Sequence, residues 1–159
     1  MSMQSDLDRF MKRCIGYLSL TSELIERAGD RINVGETFVL RFTLKNELVA
    51  GQDPDIAFIG AMVVIDDTEF AEVADPRSAE ADLVVERLNS GESATLVRRF
   101  TALRTLAGTG FFGALRDVVG KEDVAHCRIY TQVDLAKGAR AETYKYFREE
   151  IAVNFGSDR

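Results

Sequence analysis

The feature that most constrains this chain is the ten-residue stretch Thr37 to Asn46, in which large apolar residues recur at every second position. Phe38, Leu40, Phe42 and Leu44 fall on one face, and Val39, Arg41, Thr43 and Lys45 on the other. Successive side chains of a strand point to opposite faces, so this pattern predicts an antiparallel strand with one buried and one wetted side. Val124 to Leu135 repeats the pattern, with Cys127, Ile129, Thr131, Val133 and Leu135 on one face and His126, Arg128, Tyr130, Gln132 and Asp134 on the other.

Other segments fill in an all-β chain. Tyr17 to Ser22 alternates, with Leu18 and Leu20 inward. Ile56 to Ile65 is a nearly continuous apolar run that suits a central strand, and Gly60 within it marks a bulge or close backbone approach. Asp66-Asp67-Thr68 reads as a turn into a strand at Glu69 to Val73, and Asp82 to Leu88 as a short strand. Ala94 to Leu106 is a long strand whose phase slips at Arg98-Arg99, where a bulge would return Phe100 to the core. Tyr144 to Phe155 closes the chain with Phe147, Ile151, Val153 and Phe155 inward.

Turn signals separate the strands at Asn33-Val34-Gly35-Glu36, Gly51 to Asp55, Asp75 to Ser78, Asn89-Ser90-Gly91-Glu92 and Lys137 to Arg140. Two segments are helical. Leu7, Phe10, Met11 and Cys14 recur at helical spacing behind Ser5 as N-cap, which predicts a helix over 1–14, and Ala114 to Val119 reads as a short helical insertion ended by Gly120. The expectation is an all-β fold, an antiparallel β-sandwich of seven to eight strands spanning 15–155, with the whole chain 1–159 as one domain. An all-β barrel is the alternative.

Three motifs, in order, resemble the bacterial cell-adhesion-related (CARDB) domains and their immunoglobulin-like and fibronectin type III-like relatives. Val34-Gly35-Glu36 leading into Phe38 to Asn46 is similar to their early strand. Leu88-Asn89-Ser90-Gly91-Glu92-Ser93 is similar to their turn before a long strand. Tyr130 to Asp134, followed by Glu149 to Asn154, is similar to their last two strands. The resemblance covers 15–155. It implies an immunoglobulin-like sandwich with a structural or binding role, and it supplies no catalytic residues.

Composition narrows the function classes. With 20 Lys+Arg against 26 Asp+Glu, the chain carries a net charge of −6, which disfavours a general nucleic-acid binder. No apolar run reaches the roughly 18–20 residues that span a bilayer, so no membrane insertion is expected. The first fourteen residues lack the apolar core of a signal peptide. That points to the cytoplasm if Met1 begins the natural chain, and to the cell exterior if the chain is an excised or mature domain. Cys14 and Cys127, far apart in sequence, read as two free buried thiols.

Catalytic material is scarce. There is one histidine, His126, and its neighbour Cys127 would project from the opposite face of a strand. No Gly-x-Ser-x-Gly, His-Glu-x-x-His or Cys-x-x-Cys occurs, and no lysine-serine pair follows the glycines of Gly108 to Gly113. No catalytic residue, cofactor or metal is therefore expected. Asp53, Asp55, Asp66, Asp67 and Glu69 would have to converge from separate loops to hold calcium, and read as solvated turn carboxylates. Two features suit a protein contact: Phe111-Phe112 in its glycine-rich loop, and a basic stripe of Arg98 and Arg99 with Arg41, Arg104 and Arg128. Cross-strand pairing with acids is the competing account of those arginines. The expected role is a non-enzymatic module that contacts another protein, or a second copy through an edge strand. The alternative is a small-ligand or carbohydrate-binding sandwich using Tyr130, Tyr144 and Tyr146.

Overall fold

The structure, a computed structural model, describes residues 3–74, 82–103, 124–135 and 144–154. Helix α1 (Met3–Gly16) is followed by β1 (Leu18–Arg27), β2 (Thr37–Asn46), a 3-10 turn (Pro54–Ile56), β3 (Phe58–Glu69), β4 (Ala71–Val73), β5 (Leu83–Asn89), β6 (Ser93–Ala102), β7 (Val124–Leu135) and β8 (Tyr144–Asn154). The strands form two four-stranded antiparallel sheets, ordered β1-β2-β6-β4 (sheet A) and β5-β3-β7-β8 (sheet B). Their inner faces share one apolar core, a sandwich-like all-β arrangement.

The core follows from the alternation. Phe38, Leu40, Phe42 and Leu44 of β2 are all buried, and β6 runs in unbroken register beside them. Phe38 lies opposite Phe100 in that register, and their rings stack at 5.6 Å; Phe42 meets Phe100 edge-on at 6.5 Å. From sheet B come Ile59, Ala61 and Val63 of β3, and Cys127, Ile129, Val133 and Leu135 of β7, all buried. Helix α1 packs against β1 and β7, burying Met11, Cys14 and Ile15. Arg13 fastens the helix to the loop before β3 through Asp53.

Asn46, fully buried, ties the end of β2 to the β5–β6 turn. Its Nδ2 donates to the Leu88 carbonyl at 3.0 Å, and its Oδ1 accepts from Leu48 N at 3.1 Å. Its backbone N–H and C=O bond Glu92 and Gly91, while Gly91 takes the positive φ (+78°) that the turn requires. Gly35 (φ +90°) does the same before β2.

The structure corrects two local expectations. Asp66-Asp67-Thr68 is not a turn: β3 continues to Glu69, with a bulge at Asp66 against β7. The chain changes sheets at Phe70, whose φ of +62° is uncommon for a non-glycine residue, and β4 then pairs with β6. Because the bulge absorbs the extra residue, the polar run stays in the strand with its carboxylates in solvent. Nor is there a bulge at Arg98-Arg99. β6 alternates through Leu96, Arg98, Phe100 and Ala102, all buried, so Arg98 itself occupies a core position. The expected bulge at Gly60 is present, as a register shift against β5. The 114–119 helical insertion, the 108–113 glycine loop and Phe155 lie outside the described residues.

Candidate binding surface

The outer faces of the two sheets are broad described surfaces on which this fold can meet another molecule. On sheet A, cross-strand rows read Ser19–Lys45–Ser93, then Thr21–Thr43–Thr95, then Glu23–Arg41–Val97. Next comes Glu26–Val39–Arg99, where Arg99 approaches Glu26 to 3.9 Å across Val39, which is buried despite facing outward. Arg41 is likewise paired with Glu23. The face is mostly hydroxyls and matched charges, with Val97 and, at the β1 bulge, Ile25 as its exposed apolar residues.

Sheet B is different. Its rows read Val84–Met62–Asp134–Tyr144, then Val64–Gln132–Tyr146, then Asp67–Tyr130–Arg148, then Glu69–Arg128–Glu150. Phe58 and Val84 are 60% and 58% exposed, and Tyr146 is 52% exposed. Arg87 lies over the Phe58 ring, 4.6 Å from its centroid. The Tyr144 and Tyr146 rings meet edge to face, with centroids 5.0 Å apart and planes at 72°, so they offer a corner and not a flat platform. Gln132 donates from Nε2 to both carboxylate oxygens of Asp134, at 2.8 and 2.9 Å, and fixes that carboxylate beside the tyrosines. Partial cover by its neighbours, then the charge of Asp66, and then Tyr144 and Asp134, push the Tyr146 phenol above its ordinary value.

The far end of sheet B is self-neutralised. Arg128 donates to Glu69 at 2.9 Å and to Glu150 at 3.2 Å. These bonds raise the arginine's pKa, and the bond from Arg128 holds Glu150 below the usual carboxylate range.

The residues singled out from the sequence scatter. Arg98 is 4% exposed and reaches across the sandwich to Asp82, with Nη2 at 2.9 Å and Nε at 3.0 Å from Oδ1. Its Nη1 donates to Val97 O and its Nη2 to Asp82 O, while Asp82 Oδ2 accepts from Ile65 N. That arginine joins the sheets and does not belong to a surface stripe. Arg99, Arg41 and Arg128 face solvent, but from different sheets and each beside an acid. Phe111, Phe112 and Arg104 lie outside the described residues. His126 is exposed and Cys127 buried, on opposite faces of β7. Burial pushes the Cys127 thiol up to about 12 and the Cys14 thiol up to about 11, well away from a nucleophilic thiolate at neutral pH. Asp53 and Asp55 precede β3, and Asp66, Asp67 and Glu69 end it, so the loop acids do not converge. Among the described residues no three of His, Cys, Asp or Glu are grouped to hold a metal ion. No described helix is long and apolar enough to cross a membrane.

Between the edge strands β1 and β8 a small cavity of about 50 Å³ opens, lined by Leu20, Ser22, Phe42, Thr131, Phe147 and Glu149. Ser22 Oγ donates to Glu149 inside it, and Lys145 Nζ reaches the Leu18 carbonyl nearby. It has room for water, far short of the roughly 300 Å³ of ordinary ligand pockets.

No protein-family model matches the chain, and no curated protein matches it. Among solved structures, a β-glucosidase from Listeria innocua, crystallised in complex with gluconolactone, is similar at 18% identity with a TM-score of 0.30. The match covers 87% of this chain and 16% of that one.

Proposed function

We propose that this chain is an immunoglobulin-like, non-enzymatic interaction module that contacts another protein through the outer face of sheet B. The observation that carries the reading is the exposure of Phe58, Val84, Tyr144 and Tyr146 on one sheet, while the other presents mostly hydroxyls and paired charges, with Ile25 and Val97 as its exposed apolar residues and no exposed aromatic among those described. Grouped exposed apolar and aromatic residues on a soluble scaffold mark contact surfaces, and tyrosine is enriched where such contacts are strongest.

Strand order supports the immunoglobulin-like part. Lettered by position, β1-β2-β6 corresponds to A-B-E and β3-β7-β8 to C-F-G, the two sheets of that fold. The short β4 takes the D position beside β6, and β5 extends the C-F-G sheet beside β3; along the chain β4 precedes β5, the reverse of the order in variable-type immunoglobulin domains. The motif order shared with the CARDB domains favours the same reading.

The test places a photoactivatable cross-linker at position 84 or, as control, at position 95 of sheet A, in cells that express the chain naturally. The expected result is one protein joined from position 84 and absent from position 95. The purified pair should then bind, and Val84→Glu should weaken binding at least about tenfold without loss of fold. Equal cross-linking from both faces, or binding indifferent to Val84→Glu, overturns the assignment.

A further inference from the structure

Tyr144 and Tyr146 combine two features that do not help an uncharged apolar contact. Their rings form an exposed corner, and two carboxylates stand beside that corner with no described lysine or arginine paired to them. Asp134 is the register partner of Tyr144, and its oxygens are oriented by Gln132. Asp66 projects from the β3 bulge, and its charge acts on the Tyr146 phenol. No described lysine or arginine pairs with either acid. Lys145, between the tyrosines in sequence, turns to the opposite face, toward the Leu18 carbonyl and the Phe147 ring. Arg148, next along the outer face, lies 3.6 Å from Glu150.

Aromatic faces attract cations through their quadrupoles, and carboxylates attract them directly. Val84 and Met62 continue the same row as Asp134 and provide an apolar shelf for the methylene stem of a long basic side chain. We infer that the Tyr144–Tyr146 corner, with Asp66 and Asp134, receives a lysine or arginine side chain from a basic segment of a protein partner. Charge complementarity selects this occupant over a second copy, since two chains of net charge −6 repel. The inference rests on the proposed contact through sheet B and adds the chemistry of what that face recognises.

The experiment titrates the isotope-labelled chain by NMR with three ten-residue peptides: alternating lysine and valine, alternating glutamine and valine, and alternating glutamate and valine. The lysine peptide is expected to shift Tyr144, Tyr146 and Asp134 and to weaken as salt rises. Its affinity is expected to fall about fivefold to tenfold in the double variant Asp66→Asn, Asp134→Asn, and similarly in Tyr146→Ala. Tyr146→Phe, which keeps the ring, should stay within about threefold. Unchanged spectra elsewhere in the sheet show that the variants are folded.

If the glutamine peptide binds the same residues as tightly, the face is a contact surface but the cation site is wrong. If no peptide shifts these residues, the cation site is overturned, while cross-linking from position 84 still decides the wider reading. Dimerisation that Tyr146→Ala abolishes and Asp66→Asn, Asp134→Asn leaves intact assigns the corner to a second copy, and overturns it too.

Discussion

Sheets A and B share a core and are built by the same alternation, yet their outer faces have opposite characters. On sheet A most outward positions carry a hydroxyl or a paired charge, Ile25 and Val97 being the exposed apolar exceptions, and the outward but buried Val39 lies between Glu26 and Arg99. On sheet B the outward positions of β5, β3 and β8 carry Val84, Phe58, Met62, Val64, Tyr144 and Tyr146. Folding requires only that the inner faces be apolar, so the difference between the outer faces is information about something other than folding. A sheet with one wet face is sufficient for stability, and sheet A demonstrates it here.

The comparison holds only if the two sheets are locked together, and the largest expected effect concerns that lock. Asp82→Ala leaves Arg98 charged, buried and without its main acceptor, and is expected to cost about 3–5 kcal/mol in urea unfolding. Replacing both partners with apolar residues should restore much of the loss; if the single and double variants are equally unstable, the pair is not what joins the sheets. Comparable in size is Asn46→Ala. It strips the Leu88 carbonyl and the Leu48 N–H of buried partners, and is expected to cost about 1–3 kcal/mol for each group left unpaired.

A third experiment probes the interior that both faces cover. Burial raises both thiols, so the folded state favours their neutral forms. Their contribution to stability is full below about pH 9 and is lost as pH rises toward 11–12. At pH 8 iodoacetamide should label the folded chain at least about tenfold more slowly than the unfolded chain. Fast labelling would mean that the interior behind the faces is open. The smallest effect is the sharpest test of the comparison itself. Val84→Thr and Val97→Thr, one on each outer face, should each change stability by less than about 0.5 kcal/mol. Only the sheet B substitution is expected to weaken partner binding.

Much of the scaffold was legible from residue order. The span Thr37–Asn46 is the observed β2, and the two faces read for Val124 to Leu135 are the buried and outward faces of β7 where its side chains are described. The turns at Gly35 and Gly91 are where glycine supplies a positive φ. Arg98 resisted reading because its partner, Asp82, lies just before β5 of the opposing sheet: a charged residue in core phase looks like a phase error until the neighbour that neutralises it is known. Asp66 to Thr68 misled for a related reason, since the pairing with β7 overrides local turn preference. The tyrosines of β8 were visible as candidates, but Asp134 and Val84 join them only through the order β5-β3-β7-β8, which no local pattern encodes. The expected contact at Phe111-Phe112 concerns residues outside those described.

The cleft between β1 and β8 has a consequence for polymerisation. Both are edge strands, and an unpaired edge is a template on which further strands can grow into fibres. Along β8 the chain places Lys145 and Glu149 in the inward phase, where each reaches across to β1, at the Leu18 carbonyl and the Ser22 hydroxyl. A strand arriving at β8 from another molecule would have to cover an ammonium and a carboxylate already committed to this one. The border of the sandwich is thus guarded against open-ended stacking.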